Sequence, residues 1–303
     1  MTTAKKTHNW CFTPNGDSRG YIQPGNLKEL WFHTGTRCNL ECAFCLEGSN
    51  PKNSRLGTPT LSEMKPYIDE ALTMGVEKFS FTGGEPFLAK GIIDLLDYAS
   101  QHKAVLVLSN GTEPLLRRFN KLCQLRNNPH PVSLRISLDD LNPKNHDAHR
   151  GAGKFAKAVE ALKMLHQEGF HVSVARHMKK SENTEEVDQG FREFFVSNGL
   201  PEDLHIVAFP DFLTPSASAE VPQITEDCMT RYHTVESRAN FMCHYSKMVV
   251  KRDGELRVYA CTLVDDDSDY ELNQNLKQSQ NQRISMKHHR CYSCFAYGSS
   301  CSE

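Results

Sequence analysis

Three cysteines, Cys38, Cys42 and Cys45, stand at C-x3-C-x2-C spacing within the segment CNLECAFC. A random scatter of eleven cysteines over 303 positions would give this spacing about 0.01 times, so the pattern carries information. Three thiols within eight residues can wrap one corner of a metal cluster, because the short intervening segments bend the backbone around the sulfurs. They leave one metal corner without a protein ligand. A [4Fe-4S] cluster whose fourth iron stays open to a small chelating ligand fits that count. The plainer alternative is a structural zinc with His33 as fourth ligand.

A second group, Cys243, Cys261, Cys291, Cys294 and Cys301, lies near the C-terminal end. The runs Lys247 to Lys251 and Glu255 to Ala260 flank Arg252-Asp253-Gly254, a strong hairpin signal, and this hairpin would bring Cys243 and Cys261 together to share a metal. Cys291-x2-Cys294 adds a second arm. Zinc, recruiting His288 or His289, suits such pairs equally well. Cys11, Cys123 and Cys228 read as buried or incidental thiols.

The elements that must position these residues follow from the rest of the chain. Lys plus Arg is 35 against 37 for Asp plus Glu, a formal charge of -2, which gives no blanket attraction to nucleic acid or anionic membrane. Mean hydropathy is -0.53, and the longest aliphatic run, Ala104 to Leu108, is far short of the ~20 residues of a membrane helix. The start, MTTAKKTHNW, has no apolar segment behind its lysines, so a cytoplasmic setting with reduced thiols is expected. From about residue 27 to 210 the sequence repeats strand, turn and amphipathic helix, the pattern of a parallel α/β fold. The expected strands are Glu29 to Thr34, Lys78 to Thr82, Ala104 to Ser109, Val132 to Leu138, His171 to Arg176 and His205 to Phe209. Helices are expected near Ser62 to Met74, with Pro66 blurring the start, and over Ile92 to Ser100, Pro114 to Leu125, Phe155 to His166 and Glu185 to Asn198. Phe212 to Pro222 reads as a boundary, and Asp265 to Gln282 as a mobile surface loop.

CNLECAFC, with Phe44 before its last cysteine, resembles the signature of the radical S-adenosylmethionine (SAM) superfamily. Thr82-Gly83-Gly84-Glu85-Pro86 is similar to that family's GGEP motif, although alone it would be an ordinary Gly-Pro turn. RISLD, ending at Asp139, with His146-Asp147 and Arg150-Gly151, resembles the fourth strand and the segment after it. The resemblance covers about residues 28 to 210 and implies a partial (β/α)6 barrel with its site at the C-terminal strand ends. It implies that Cys38, Cys42 and Cys45 bind three irons while SAM chelates the fourth. Gly83 and Gly84 would approach the methionyl ammonium, with the Glu85 carboxylate complementing its charge. Ser137 would contact the ribose or carboxylate and Arg150 the carboxylate, a buried Ser and a surface Arg being the alternative. The implied reaction is one-electron cleavage of SAM, after which a 5′-deoxyadenosyl radical takes a hydrogen atom from the substrate.

The C-terminal cysteines resemble the twitch form of the SPASM domain, which implies one auxiliary [4Fe-4S] cluster held by Cys243, Cys261, Cys291 and Cys294, with Cys301 as substitute. The division is then an N-terminal extension (1–26), a radical SAM core (27–212) and a twitch-like domain (213–303). Oxidation of a small molecule, with the auxiliary cluster accepting an electron, is the leading expectation. It needs a base, for which Asp211, His177 and Asp139 are candidates. Peptide (RiPP) maturation is the alternative. A cluster loop starting at residue 38 leaves no room upstream for a leader-peptide-binding domain, although a separate protein can supply one. Molybdenum-cofactor synthesis is disfavoured by the ending Ser300-Cys301-Ser302-Glu303, and a metal-stabilised binding protein without turnover is the remote reading. The implied partners are a small-molecule or peptide substrate and an electron donor such as flavodoxin or ferredoxin, with no nucleic acid and no membrane.

Overall fold

The computed structural model describes residues 8–179, 182–209 and 219–298. Among these, nine strands form one sheet: β1 (Glu29–His33), β2 (Lys78–Thr82), β3 (Ala104–Ser109), β4 (Val132–Ser137), β5 (His171–His177), β6 (Ile206–Phe209), β7 (Ser246–Arg252), β8 (Glu255–Tyr259) and β9 (Glu271–Asn273). Their order is β9-β8-β7-β1-β2-β3-β4-β5-β6. β1 to β6 run parallel in chain order, as an open α/β barrel requires, and each lies within one residue of its expected limits.

Strands covered on both faces read as apolar runs, and β1 shows why. Leu30 and Phe32 pack with Phe79 and Phe81 of the neighbouring strand and with Met64 and Ile68 of helix α1 (Leu61–Thr73). Trp31 points into a second core with Leu106, Met248 and Tyr259. Helices α2 (Ile92–Ser100), α3 (Lys154–Gln167) and α4 (Thr184–Ser197) also join the first core, through Leu95, Leu162 and Phe195.

The Thr60–Glu63 capping box fixes the start of α1 at Leu61, and Pro66 lies in the second turn, where it forfeits a single N–H bond. The expected helix Pro114 to Leu125 divides into Glu113–Leu116 and Phe119–Gln124, because Arg118 leaves helical geometry (φ -103°, ψ 2°). An unanticipated helix, Pro143–Arg150, has Pro143 in its first turn and Asn142 as its cap, a start signal present in the sequence.

The hairpin is as expected: Asp253 (φ 52°) and Gly254 (φ 83°) form its turn. Its first strand, however, pairs parallel with β1, Glu29 opposite Ser246, and so continues the barrel sheet. The expected division at 212/213 falls within 210–218, outside the described residues, and the chain beyond it returns to that sheet. From the other end, Tyr21–Ile22 pairs with Ile284–Ser285. The stretch 265–282 is not the loop its polar composition suggested. Asp265, Tyr270 and Leu276 are buried, β9 extends the sheet, and Arg55 meets Asp265 at 2.7 Å. No described helix is long and apolar enough to cross a membrane.

Candidate active site

Thr82, Ser109, Ser137, His177 and Phe209, the last residues of β2 to β6, line one cavity. The loop after β1 brings Cys38, Cys42 and Cys45 to the same cavity. Backbone bonds hold that loop tightly, from Cys45 N–H to Cys42 O (3.1 Å), Gly48 N–H to Cys45 O (2.9 Å) and Cys38 N–H to Asn50 O (3.1 Å). Leu40 N–H donates to Cys38 Sγ (3.3 Å), Ser49 N–H to Cys45 Sγ (3.4 Å) and Asn110 Nδ2 to Cys38 Sγ (3.6 Å). Burial pushes the Cys38 thiol up to about 12; burial also raises that of Cys42, against the pull of Arg150. Bare thiolates are therefore disfavoured there, and a metal centre that displaces their protons answers that cost.

Gly83 and Gly84 also line the cavity, and they seat the cysteine loop. A Cβ on Gly84 would lie 2.3 Å from the Arg37 carbonyl oxygen, and one on Gly83 (φ +145°) 2.6 Å from Thr34 Oγ1. Gly84 N–H donates to Gly35 O (2.9 Å) and Glu85 N–H to Arg37 O (3.1 Å), so the two motifs are joined backbone to backbone.

Four of the C-terminal thiols, those of Cys243, Cys261, Cys291 and Cys294, line a second, apolar cavity. Burial pushes Cys291 up to about 12 and raises Cys243 and Cys261. Beside them the wholly buried Lys247 ammonium donates to the carbonyls of Cys243 (3.0 Å) and Ser246 (2.9 Å); burial lowers it to about 8, with Cys243 and Cys261 opposing. Neither His288 nor His289 is among the lining residues, so among the described residues the His/Cys donors there are all thiols. Leu263 lines both cavities. Cys301 lies outside the described residues.

Residues 32–193, more than half of the chain, match the Radical SAM superfamily. The chain belongs to that superfamily. Among curated relatives it is 37% identical over 146 residues to the antilisterial bacteriocin subtilosin biosynthesis protein AlbA of Bacillus subtilis, covering 48% of this chain and 32% of AlbA. With the mycofactocin maturase MftC of Mycolicibacterium smegmatis it shares 33% over 154 residues, 50% of this chain and 38% of MftC. The chain thus spans about a third of the length of these relatives. The crystal structure of Streptococcus suis SuiB, also solved bound to the precursor peptide SuiA, has a similar fold: TM-score 0.62 at 12% identity, over 85% of this chain and 66% of SuiB.

Radical SAM enzymes use a [4Fe-4S] cluster and SAM, and the fold is the expected partial barrel, its sheet continued by the C-terminal hairpin. The fit to this radical SAM site is good at the first loop: three thiols on one wall, Cys38 buried and Cys42 and Cys45 half-buried, no fourth thiol lining the cavity among the described residues, and amide donors on two of the sulfurs. His33, the alternative zinc ligand, is not in the lining; its Nδ1 accepts from Gly35 N–H (3.1 Å). His33, Glu47 and Asp265 converge within 4.8 Å, but the Arg55 guanidinium already answers both carboxylates, at 2.6 and 2.7 Å.

Two expected roles need correction. Glu85 is buried but does not line the cavity. Its Oε1 accepts from Phe87 N–H (3.0 Å) and Ser109 Oγ (2.9 Å), and its Oε2 from Asn110 N–H (2.9 Å), so it braces the end of β3 rather than meeting a ligand's ammonium. Asp139 lines the cavity, but its carboxylate is occupied by Arg150 and by His177 N–H (3.1 Å). Burial raises its proton affinity, yet Arg150 holds it below the ordinary carboxylate range, which makes it a poor base. Ser137 and Arg150 line the cavity as expected. Phe44 stacks flat on the His177 ring (centroids 4.8 Å apart, planes 2° apart), and Asp211 lies outside the described residues. Arg176, a buried cavity residue held by Glu182 (2.6 Å) and Asp188 (3.0 Å), is an additional site residue, signalled in the sequence by a charge closing the run HVSVA.

Burial raises the Glu85 carboxyl to about 7, against a usual 4.5. Between these values the folded chain holds one proton more than the unfolded chain, so stability falls as pH rises through that window. Glu85→Gln should remove this slope, worth about 3 kcal/mol at about 1.36 kcal/mol per pH unit. Urea midpoints of both proteins from pH 5 to 8 test it, and equal slopes would refute the burial-raised carboxyl.

Proposed function

We propose that this chain modifies a peptide by radical SAM chemistry, with Cys38, Cys42 and Cys45 holding the SAM-binding cluster and Cys243, Cys261, Cys291 and Cys294 an auxiliary [4Fe-4S] cluster. The observation that carries the two-cluster assignment is the pair of thiol-lined cavities sharing the Leu263 wall. Kinship favours a peptide over the small-molecule oxidation expected from the sequence. AlbA takes part in making a bacteriocin, MftC is a maturase, and SuiB binds a precursor peptide.

When bound, the cluster and SAM supply one-electron cleavage of the sulfonium and abstraction of a hydrogen atom. The chain's own part is to bind and orient. Arg150, held by Asp139, offers a guanidinium to the SAM carboxylate, and Ser137 a hydroxyl to the carboxylate or ribose. Gly83 and Gly84 allow close backbone approach at the methionyl ammonium. Leu46, Leu108, Phe209 and Leu263 exclude water from the reacting centre. Of the candidate bases, His177 lies in the cavity wall with its ring fixed on Phe44, and Asp211 is the other. A flavodoxin or ferredoxin would deliver the electron.

Anaerobically reconstituted protein with a chemical reductant and SAM should form 5′-deoxyadenosine faster with its peptide substrate, matched by a mass change on that peptide. A panel of peptides and metabolites, followed by both readouts, tests this. Stimulation by a metabolite, with every peptide inert, would overturn the peptide reading.

A further inference from the structure

A buried arginine lies between the two cysteine sites. Arg290 precedes Cys291 in helix α5 (His289–Tyr297) and is 1% exposed. Its Nη1 donates to the Leu263 carbonyl (2.6 Å) and its Nη2 to the Leu46 carbonyl (2.9 Å), with Asp266 Oδ1 at 3.6 Å. Leu46 follows Cys45, and Leu263 stands two residues after Cys261. One guanidinium therefore grips the backbone beside a cysteine of each site, while its own backbone carries a third. Arg55 makes a parallel link, from Glu47 in the first loop to Asp265 beyond the hairpin. A planar fork with several fixed donors can serve two carbonyls at once, which a lysine ammonium on a flexible stem does less well.

We propose that Arg290 is a positioning residue that makes the geometry of the first cysteine loop depend on the second cysteine site. Disturbing the start of α5, as loss of the auxiliary metal would, slackens the grip on Leu46 and so the placement of Cys45. By linkage the dependence runs both ways. The inference rests on the assignment of the two cysteine sets given above.

Hydrogen exchange on the full chain, isolated without oxygen, reads the loop directly. In Arg290→Met the amides of Gly48 and Ser49 should exchange roughly tenfold to a hundredfold faster, the effect of losing one charge-assisted hydrogen bond, while Val105 and Val107 in β3 keep their protection. Arg290→Lys should fall between. The paramagnetic resonance signal of the reduced first cluster, and its change on adding SAM, should be altered in Arg290→Met. It should be altered likewise in Cys291→Ala/Cys294→Ala, with little further change when the substitutions are combined. Unchanged exchange at 48 and 49, equal acceleration in β3, or an unaltered first-cluster signal would overturn the proposal. A chain that takes up no iron would instead sink the cofactor assignment, and the exchange data would then decide the role of Arg290 alone.

Discussion

Replacing Cys38, Cys42 and Cys45 together by alanine is expected to abolish conversion of SAM into 5′-deoxyadenosine and to lower bound iron from about eight to about four per chain. The three thiols sit on one short loop in one cavity, and removing all of them leaves no first-site anchor for iron. The remaining irons are expected in the second cavity, whose lining includes none of the replaced residues. Iron and sulfide analysis, with chromatographic detection of 5′-deoxyadenosine, makes the measurement. Undiminished cleavage, or zinc as the sole metal of the wild type, would end the assignment.

Gly84→Ala has the next largest expected effect, although it leaves every thiol in place. The new Cβ would stand 2.3 Å from the Arg37 carbonyl oxygen, 2.6 Å from its carbonyl carbon and 2.8 Å from the Thr36 oxygen. All three are backbone atoms just before Cys38, so no rotamer change relieves the contact. Overpacking of this kind costs about 1–3 kcal/mol, and the loop must retreat from the end of β2. We expect loss of most first-site iron and a lowered melting temperature, with second-site iron retained. Gly190→Ala is the control, since its Cβ meets Leu141 at 3.6 Å inside α4, and it should be neutral or stabilising by about 0.5–1 kcal/mol. Full iron and full activity in Gly84→Ala would mean that the loop is not seated as described.

The strands were legible because they are short β-type runs, with Gly83, Asn110 and Pro210 closing β2, β3 and β6, and the cysteine loop because three thiols at fixed spacing have few bland explanations. Glu85 was misjudged because a motif gives a residue's place but not the direction of its side chain; three donors turn this carboxylate inward. The link that Arg290 makes between the two cysteine sites was invisible for a different reason. Arg290 and Leu46 are 244 positions apart, and no local period or spacing encodes a bond to a backbone carbonyl at that distance. The same holds for 265–282, whose acidic and amide residues read as solvated until their partners, Arg55 among them, are in view.

The pairing of β7 with β1 also bears on how the molecule is made. β1 is among the first strands to be synthesised, yet the partner on its outer edge follows more than 200 positions later. A nascent chain that has already assembled β1 to β6 therefore holds an open strand edge carrying Trp31 and Phe32 until the hairpin emerges, and such edges invite mispairing with other chains. Closing so long a loop makes docking of the hairpin a late and slow event. The second cysteine cavity cannot exist before that event, and the first loop, although synthesised early with the strand ends that frame it, lacks until then its contacts with Lys251, Asp265 and Arg290. Maturation thus has a built-in order, with both cysteine sites completed only after the hairpin has docked on β1.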